Sequence, residues 1–298
     1  MKRSARRVTV LVAALLVGLG AFAAAPTPAQ EVGPNDQYVA LGDSYTAGPL
    51  IPVQQPDPYG CLRSDRNYPH LVAPTLGLPR FRDVSCSGAD TGDMTHAQGV
   101  SPGPNPPQFD ALDAATTVVT VGIGGNDIGF SDIATSCASL VPLGSPCRDQ
   151  YVVNGVDEIS ARIAETAPKV AAVIQGIHDR APAATVYVVN YLPIFPEGPL
   201  LPGAPEGCWP QMPIAWNDVP YLRDKQKELN AMLATQAAAN GAVLVDAYTA
   251  GIGHDACQPP LLRWVEPFVP ASLAAPVHPN LAGMQGTANA LLAAGGAG

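Results

Sequence analysis

Apolar residues fall along this chain in two rhythms that alternate. Short runs rich in Val, Ile, Tyr and Thr at residues 38–41, around 81–84, and at 117–121, 185–190 and 242–246 read as buried strands. Between them, residues 67–76, 156–180 and 222–239 carry apolar positions at helical spacing, as in Ile159, Ile163, Ala167, Val170 and Ile174. Parallel strands need long crossovers, usually helices, so this alternation predicts an α/β domain. Its expected form is three-layer α/β/α, with a five-stranded parallel sheet in the order 2-1-3-4-5.

The first thirty residues follow neither rhythm. Lys2, Arg3, Arg6 and Arg7 precede an almost unbroken apolar run over 8–25, and small residues follow up to Gln30. That is the layout of a secretory signal peptide, with small-residue cleavage sites at 21–23 or 27–29. A membrane anchor is the alternative, because a spanning helix needs about 20 apolar residues, but Pro26 and Pro28 resemble a cleavage region more than a stop-transfer flank. The chain therefore divides into a signal peptide at 1–30 and a single domain at 31–298, and an extracellular location is expected.

Charge and cysteines refine this picture. The formal charge is -9, and removing the four leader cations leaves about -13, which excludes a nucleic-acid partner by repulsion of the polyanion. Six cysteines (Cys61, Cys86, Cys137, Cys147, Cys208 and Cys257) all follow the leader, and an even count in an exported chain reads as three disulfides. The count alone leaves fifteen pairings open. Zinc is not expected, since neither C-x-x-C nor H-E-x-x-H occurs.

Four short blocks carry the chemistry: G-D-S-Y at 42–45, S-G-A-D at 87–90, G-G-N-D at 124–127 and V-H-P-N at 277–280. Three of them follow predicted strands and the fourth precedes the last helix. In open parallel sheets the crevice beyond the carboxyl ends of the strands is where ligands bind. A hydroxyl at a strand-to-helix turn beside a helix N-terminus, together with an imidazole able to take its proton, points to nucleophilic acyl transfer. In this order, with three cysteine pairs and the neighbouring Y-P-H-L, the blocks resemble the SGNH (GDSL) hydrolases, especially secreted actinobacterial lipases and esterases.

The resemblance implies a flavodoxin-like SGNH hydrolase fold and carries specific roles to this sequence. Ser44 is the expected nucleophile and His278 the base. The amides of Ser44 and Gly88 and the side chain of Asn126 are the expected oxyanion donors, which must point at the charge before it forms. The implied disulfides are sequential: Cys61 with Cys86, Cys137 with Cys147, Cys208 with Cys257. Many relatives place Asp three residues before the histidine, but this chain has Ala275 there. A Ser44–His278 dyad oriented by the backbone carbonyl of Ala275 or a neighbour is the expected arrangement, and Asp255 or Glu266 folding back is the alternative. Asp43 and Asp127 read as helix-start and turn residues.

Substrate choice rests on two proline-rich apolar loops. Residues 192–216 carry Ile194, Phe195, Leu200, Leu201, Trp209, Met212 and Trp216, and residues 259–277 carry Leu261, Leu262, Trp264 and Phe268. Lining an acyl pocket is one reading, and forming a loop core pinned by Cys208 and Cys257 is the other. The expected activity is that of a secreted serine ester hydrolase on acylglycerol-type lipids. Phospholipase A-type hydrolysis and polysaccharide O-deacetylation are the alternatives, with a non-catalytic cell-surface binding module further off. The expected partners are the acyl-ester substrate and a transient lipid interface, and the chain is expected to be a monomer. No cofactor is expected, since in G-I-G-G-N-D Asp127 stands where a dinucleotide fingerprint needs its third glycine, and no metal is expected.

Overall fold

The computed structural model describes residues 33–295, so the leader reading at 1–30 lies outside the described residues. Strand β1 (Gln37–Gly42) is buried along its whole length, which requires apolar side chains on both faces, as Tyr38, Val39, Ala40 and Leu41 provide. It lies between β2 (Arg80–Asp83) and β3 (Thr116–Gly122) and runs parallel to both.

Helix α5 (Glu158–Arg180) starts two residues later than its apolar spacing suggests. The residues before it form a small hairpin, β4 (Val152–Val153) pairing with β5 (Val156–Asp157) across Asn154 and Gly155. Both turn residues have positive φ, the conformation that makes Asn-Gly the preferred two-residue hairpin turn. Asp157 then caps α5 by accepting the amides of Ile159 and Ser160.

β6 (Thr185–Val189) and β7 (Val243–Val245) complete the parallel sheet, whose order is β2-β1-β3-β6-β7. Counting only its own five strands, this is the expected 2-1-3-4-5. Long α5 packs against α6 (Asp218–Ala239), and α2 (Tyr68–Leu76) packs against α8 (Leu281–Ala294), so helices cover the sheet in two layers. Four short helices add to these: α1 (Ser44–Ala47), α3 (Phe130–Ser136), α4 (Pro146–Tyr151) and α7 (Ala247–Ala250). The disulfides are Cys61–Cys86, Cys137–Cys147 and Cys208–Cys257, the sequential pairing. No helix among the described residues is long and apolar enough to cross a membrane.

Candidate active site

Strand β1 ends at Gly42 and the chain turns at once into α1, putting Ser44 at the first position of that helix. The turn is tight. A Cβ on Gly42 would lie 2.4 Å from Thr46 Oγ1 and 2.7 Å from the carbonyl oxygen of Gly122. Gln108 fixes the Gly42 peptide from the side, accepting its N–H at 2.7 Å and donating to its carbonyl at 2.9 Å. Asp43 caps α1 through the Tyr45 amide, as a helix-start residue should.

The fourth block meets the first across 234 residues of chain: His278 Nε2 lies 2.8 Å from Ser44 Oγ. On the other side of the ring, Nδ1 lies 2.7 Å from the carbonyl oxygen of Pro276, so the ring-orienting carbonyl is that of Pro276 and not Ala275. The reason is local. Ala275 offers its carbonyl to the His278 amide, closing a turn at 3.3 Å, and the following peptide presents its oxygen to the ring instead. Neither alternative acid reaches the histidine. Asp255 accepts from Cys257 and Gln258, and Glu266 from Asn280, Ala271 and Ser272. Burial pushes His278 below the usual imidazole value of 6.5, partly offset by the Pro276 carbonyl, which favours the protonated ring.

Blocks two and three stand beside this pair. Among the described residues, the amides of Ser44 and Gly88 donate to no other backbone group. Asn126 Nδ2 donates to the carbonyl of Ala89 at 2.8 Å, which orients the side-chain amide next to Gly88. Asp127 accepts from both the amide and the hydroxyl of Thr91, at 3.0 and 2.5 Å, locking the second block to the third. Tyr191 bridges the third to the first: its hydroxyl accepts the Gly125 amide at 2.7 Å and donates to Asp43 at 2.6 Å. Burial pushes the Asp43 carboxyl up to about 7, although the Tyr191 bond works against this.

A pocket open to solvent leads from Ser44 into the protein. Its walls are almost wholly apolar, including Ile128, Phe130 and Ile133 around α3, Ile159 at the start of α5 and Leu222 and Leu229 on α6. The two proline-rich loops contribute through Ile194, Phe195, Met212 and Ile214 from one and Phe268 and Val277 from the other. Other large apolar residues of these loops lie elsewhere, in line with the alternative reading for part of them. Leu201 and Leu261 are 69% and 97% exposed, and Trp209 Nε1 donates to the Ser139 carbonyl. Trp264 is stacked on His254 and covered by α8, where Gly283 and Gly286 leave room for it. Among the described residues no group of His, Cys, Asp and Glu side chains is placed to hold a metal ion.

This geometry agrees with what the chain resembles. The model of the GDSL-like Lipase/Acylhydrolase family matches residues 40–285. The chain belongs to the GDSL-like lipase/acylhydrolase family. Lipase 2 of Streptomyces coelicolor is 42% identical, covering 95% of this chain and 94% of that one. A lipase of Streptomyces rimosus is 32% identical over 86% of this chain and 85% of its own. Among solved structures, an extracellular lipase from Streptomyces rimosus superposes with a TM-score of 0.71 at 28% identity, covering 87% of this chain and 99% of that one. Phospholipase A1 from Streptomyces albidoflavus gives 0.70 at 26% identity, with coverages of 86% and 98%.

As a member of this GDSL-like family the protein is a carboxylic ester hydrolase of the lipase and esterase type. Sequence reasoning missed three residues that hold the family's blocks together: Tyr191, Thr91 and Tyr45. Tyr45 and Thr91 were in view, one inside the first block and one just after the second, but their partners are far away in the chain. Tyr191 lies two residues beyond β6, on the same edge as the blocks, and that position was its only signal.

Proposed function

We propose that Ser44 is the nucleophile of a secreted hydrolase that cleaves long-acyl esters of the acylglycerol type through an acyl-enzyme. The observation that carries this reading is the Ser44–His278 contact at 2.8 Å, set at the mouth of an apolar cavity. Ser44 Oγ attacks the ester carbonyl as its proton passes to His278 Nε2, and the imidazolium so formed donates from Nδ1 to the Pro276 carbonyl. The amides of Ser44 and Gly88 and the Asn126 side chain receive the oxyanion. Collapse returns the proton to the leaving alcohol, and water repeats the sequence on the acyl-enzyme to release the fatty acid. Among the described residues no carboxylate stands beside the imidazolium, so the Pro276 carbonyl orients the ring without adding the negative charge of a triad.

A leader at 1–30 that is removed on export, leaving one domain at 31–298, agrees with three disulfides and with the likeness to an extracellular lipase. The net charge favours a monomer that avoids nucleic acid, and the apolar pocket beside Ser44 suits transient contact with a lipid interface.

Hydrolysis of p-nitrophenyl esters from acetate to palmitate, with Ser44→Ala in parallel, tests this reading. Preference for medium or long chains with loss in the variant supports it, and acetate-only activity or an active variant overturns it. Phospholipase A-type hydrolysis is a second reading, favoured by the likeness to phospholipase A1. Release of fatty acid from dioleoyl phosphatidylcholine at a rate comparable to trioleoylglycerol identifies it. A polysaccharide deacetylase is disfavoured, because an acetyl group leaves most of the apolar wall unused.

A further inference from the structure

The segment that carries His278 is bent in a way its own residues do not favour. Val277 has φ +59, left-handed backbone that a β-branched side chain rarely adopts. Both peptides flanking it are held on each side. In the peptide before Val277, the N–H donates to the Glu266 carbonyl at 3.0 Å and the Pro276 carbonyl accepts from the His278 ring at 2.7 Å. In the peptide after it, the His278 N–H donates to the Ala275 carbonyl at 3.3 Å. The remaining group, the Val277 carbonyl, accepts from the hydroxyl of Tyr45 at 2.8 Å. Tyr45 directly follows Ser44 in α1, and its ring lies 5.3 Å from the imidazole, centroid to centroid. One side chain thus joins the helix of the hydroxyl to the bent loop of the base.

We propose that Tyr45 is a positioning residue for the base: its hydroxyl holds the Val277 carbonyl and so keeps the Pro276 carbonyl aimed at His278 Nδ1. This inference rests on His278 acting as the base. With the hydroxyl gone, Val277 can relax toward negative φ, which rotates the preceding peptide and withdraws its oxygen from the ring. The imidazole then loses the acceptor that fixes which nitrogen carries the proton. That acceptor also favours the imidazolium, so the ring becomes a weaker base. Few other groups govern the titration. The ring is packed against Tyr45 and bonded to Ser44, while the nearest acids have their carboxylates engaged elsewhere, Asp43 with Tyr191 and the Tyr45 amide, Glu266 with Asn280, Ala271 and Ser272.

Tyr45→Phe keeps the ring in the cavity wall and removes only the hydroxyl. On p-nitrophenyl butyrate the expected result is a kcat lower by tenfold or more with KM changed less than twofold, on the order of 1.4 kcal/mol or more in the barrier. The acid limb of the kcat/KM profile is expected to move to lower pH. Nitrogen NMR of histidine-labelled protein gives a second reading that does not depend on turnover: the Nδ1–H signal of His278 broadens or disappears in the variant. Ser44→Ala is assayed alongside. If it is inactive while Tyr45→Phe keeps wild-type kcat, acid limb and Nδ1–H signal, the positioning role is refuted and the nucleophile stands. If Ser44→Ala is active, the underlying reading of the dyad fails.

Discussion

Two glycines at the site, Gly42 and Gly88, should respond to the same substitution in opposite ways. At Gly42 φ is +146, which an L-residue adopts at a cost of about 1–3 kcal/mol. The added methyl of Gly42→Ala would also meet Thr46 Oγ1 at 2.4 Å and the Gly122 carbonyl at 2.7 Å. Thr46 can turn aside, but a strand carbonyl cannot, and overpacking of this kind costs about 1–3 kcal/mol more. The sum, roughly 2–6 kcal/mol, is a large part of a domain's usual 5–15 kcal/mol. At Gly88 φ is +82, and the nearest atom to an added Cβ is Gln98 Nε2 at 3.6 Å, ordinary contact. There the penalty is conformational alone, about 1–2 kcal/mol. The backbone that must shift, however, carries a proposed oxyanion amide, and loss of one such donor costs about 10²–10³ in kcat. Urea unfolding and p-nitrophenyl butyrate hydrolysis on the same preparations separate the two effects. Gly42→Ala is expected to lower the urea midpoint most, and Gly88→Ala to lower it by the smaller amount that about 1–2 kcal/mol gives while lowering kcat by at least about tenfold. If Gly88→Ala keeps its kcat, or destabilises as much as Gly42→Ala, the reasoning is refuted.

His278 must be neutral to accept the Ser44 proton, and burial lowers its pKa, so activity should rise with pH through a midpoint below 6.5. An acid limb of kcat/KM centred at or above 7 would contradict this. Asp43 is displaced the other way, from 3.8 unfolded to about 7 folded. Its protonated form is the one favoured by folding, so its contribution to stability is complete below about 4 and is lost as pH rises to about 7. Asp43→Asn is therefore expected to flatten stability over that window in urea unfolding at a series of pH values, and an unchanged slope would count against it. Replacing Cys208 and Cys257 with Ser opens a 49-residue separation, for which the chain-entropy relation gives about 4 kcal/mol, readable as a lower urea midpoint.

The central strands were legible because they are buried on both faces, so Tyr38 to Leu41 and Thr117 to Val121 read as continuous apolar runs. Helix α5 was legible from the spacing of Ile159, Ile163, Val170 and Ile174, all buried. Its start falls two residues later than the expected 156 because Val156 and Asp157 pair with Val153 and Val152 before the helix begins. Helices α3 and α4 are too short, at seven and six residues, to show a period, yet α3 supplies part of the acyl cavity. The two readings of the proline-rich loops both hold in part, since Ile194, Phe195, Met212 and Phe268 line the cavity while Trp209 and Trp264 pack elsewhere. Ser44, Gly88, Asn126 and His278 were all named from local blocks, and the structure brings them together. The choice of Pro276 over Ala275 depended on a positive φ at Val277, a residue whose own preference argues against it. Tyr191 became visible only when β1, β3 and β6 were set side by side.

The most direct test of the central claim is to label the nucleophile covalently, as its phosphonyl ester with loss of fluoride. Incubation with an alkyl fluorophosphonate, followed by peptide mass spectrometry, should find one adduct, on the Ser44 hydroxyl, with labelling strongly slowed in His278→Ala. An adduct on another residue, or none in active protein, would contradict the account.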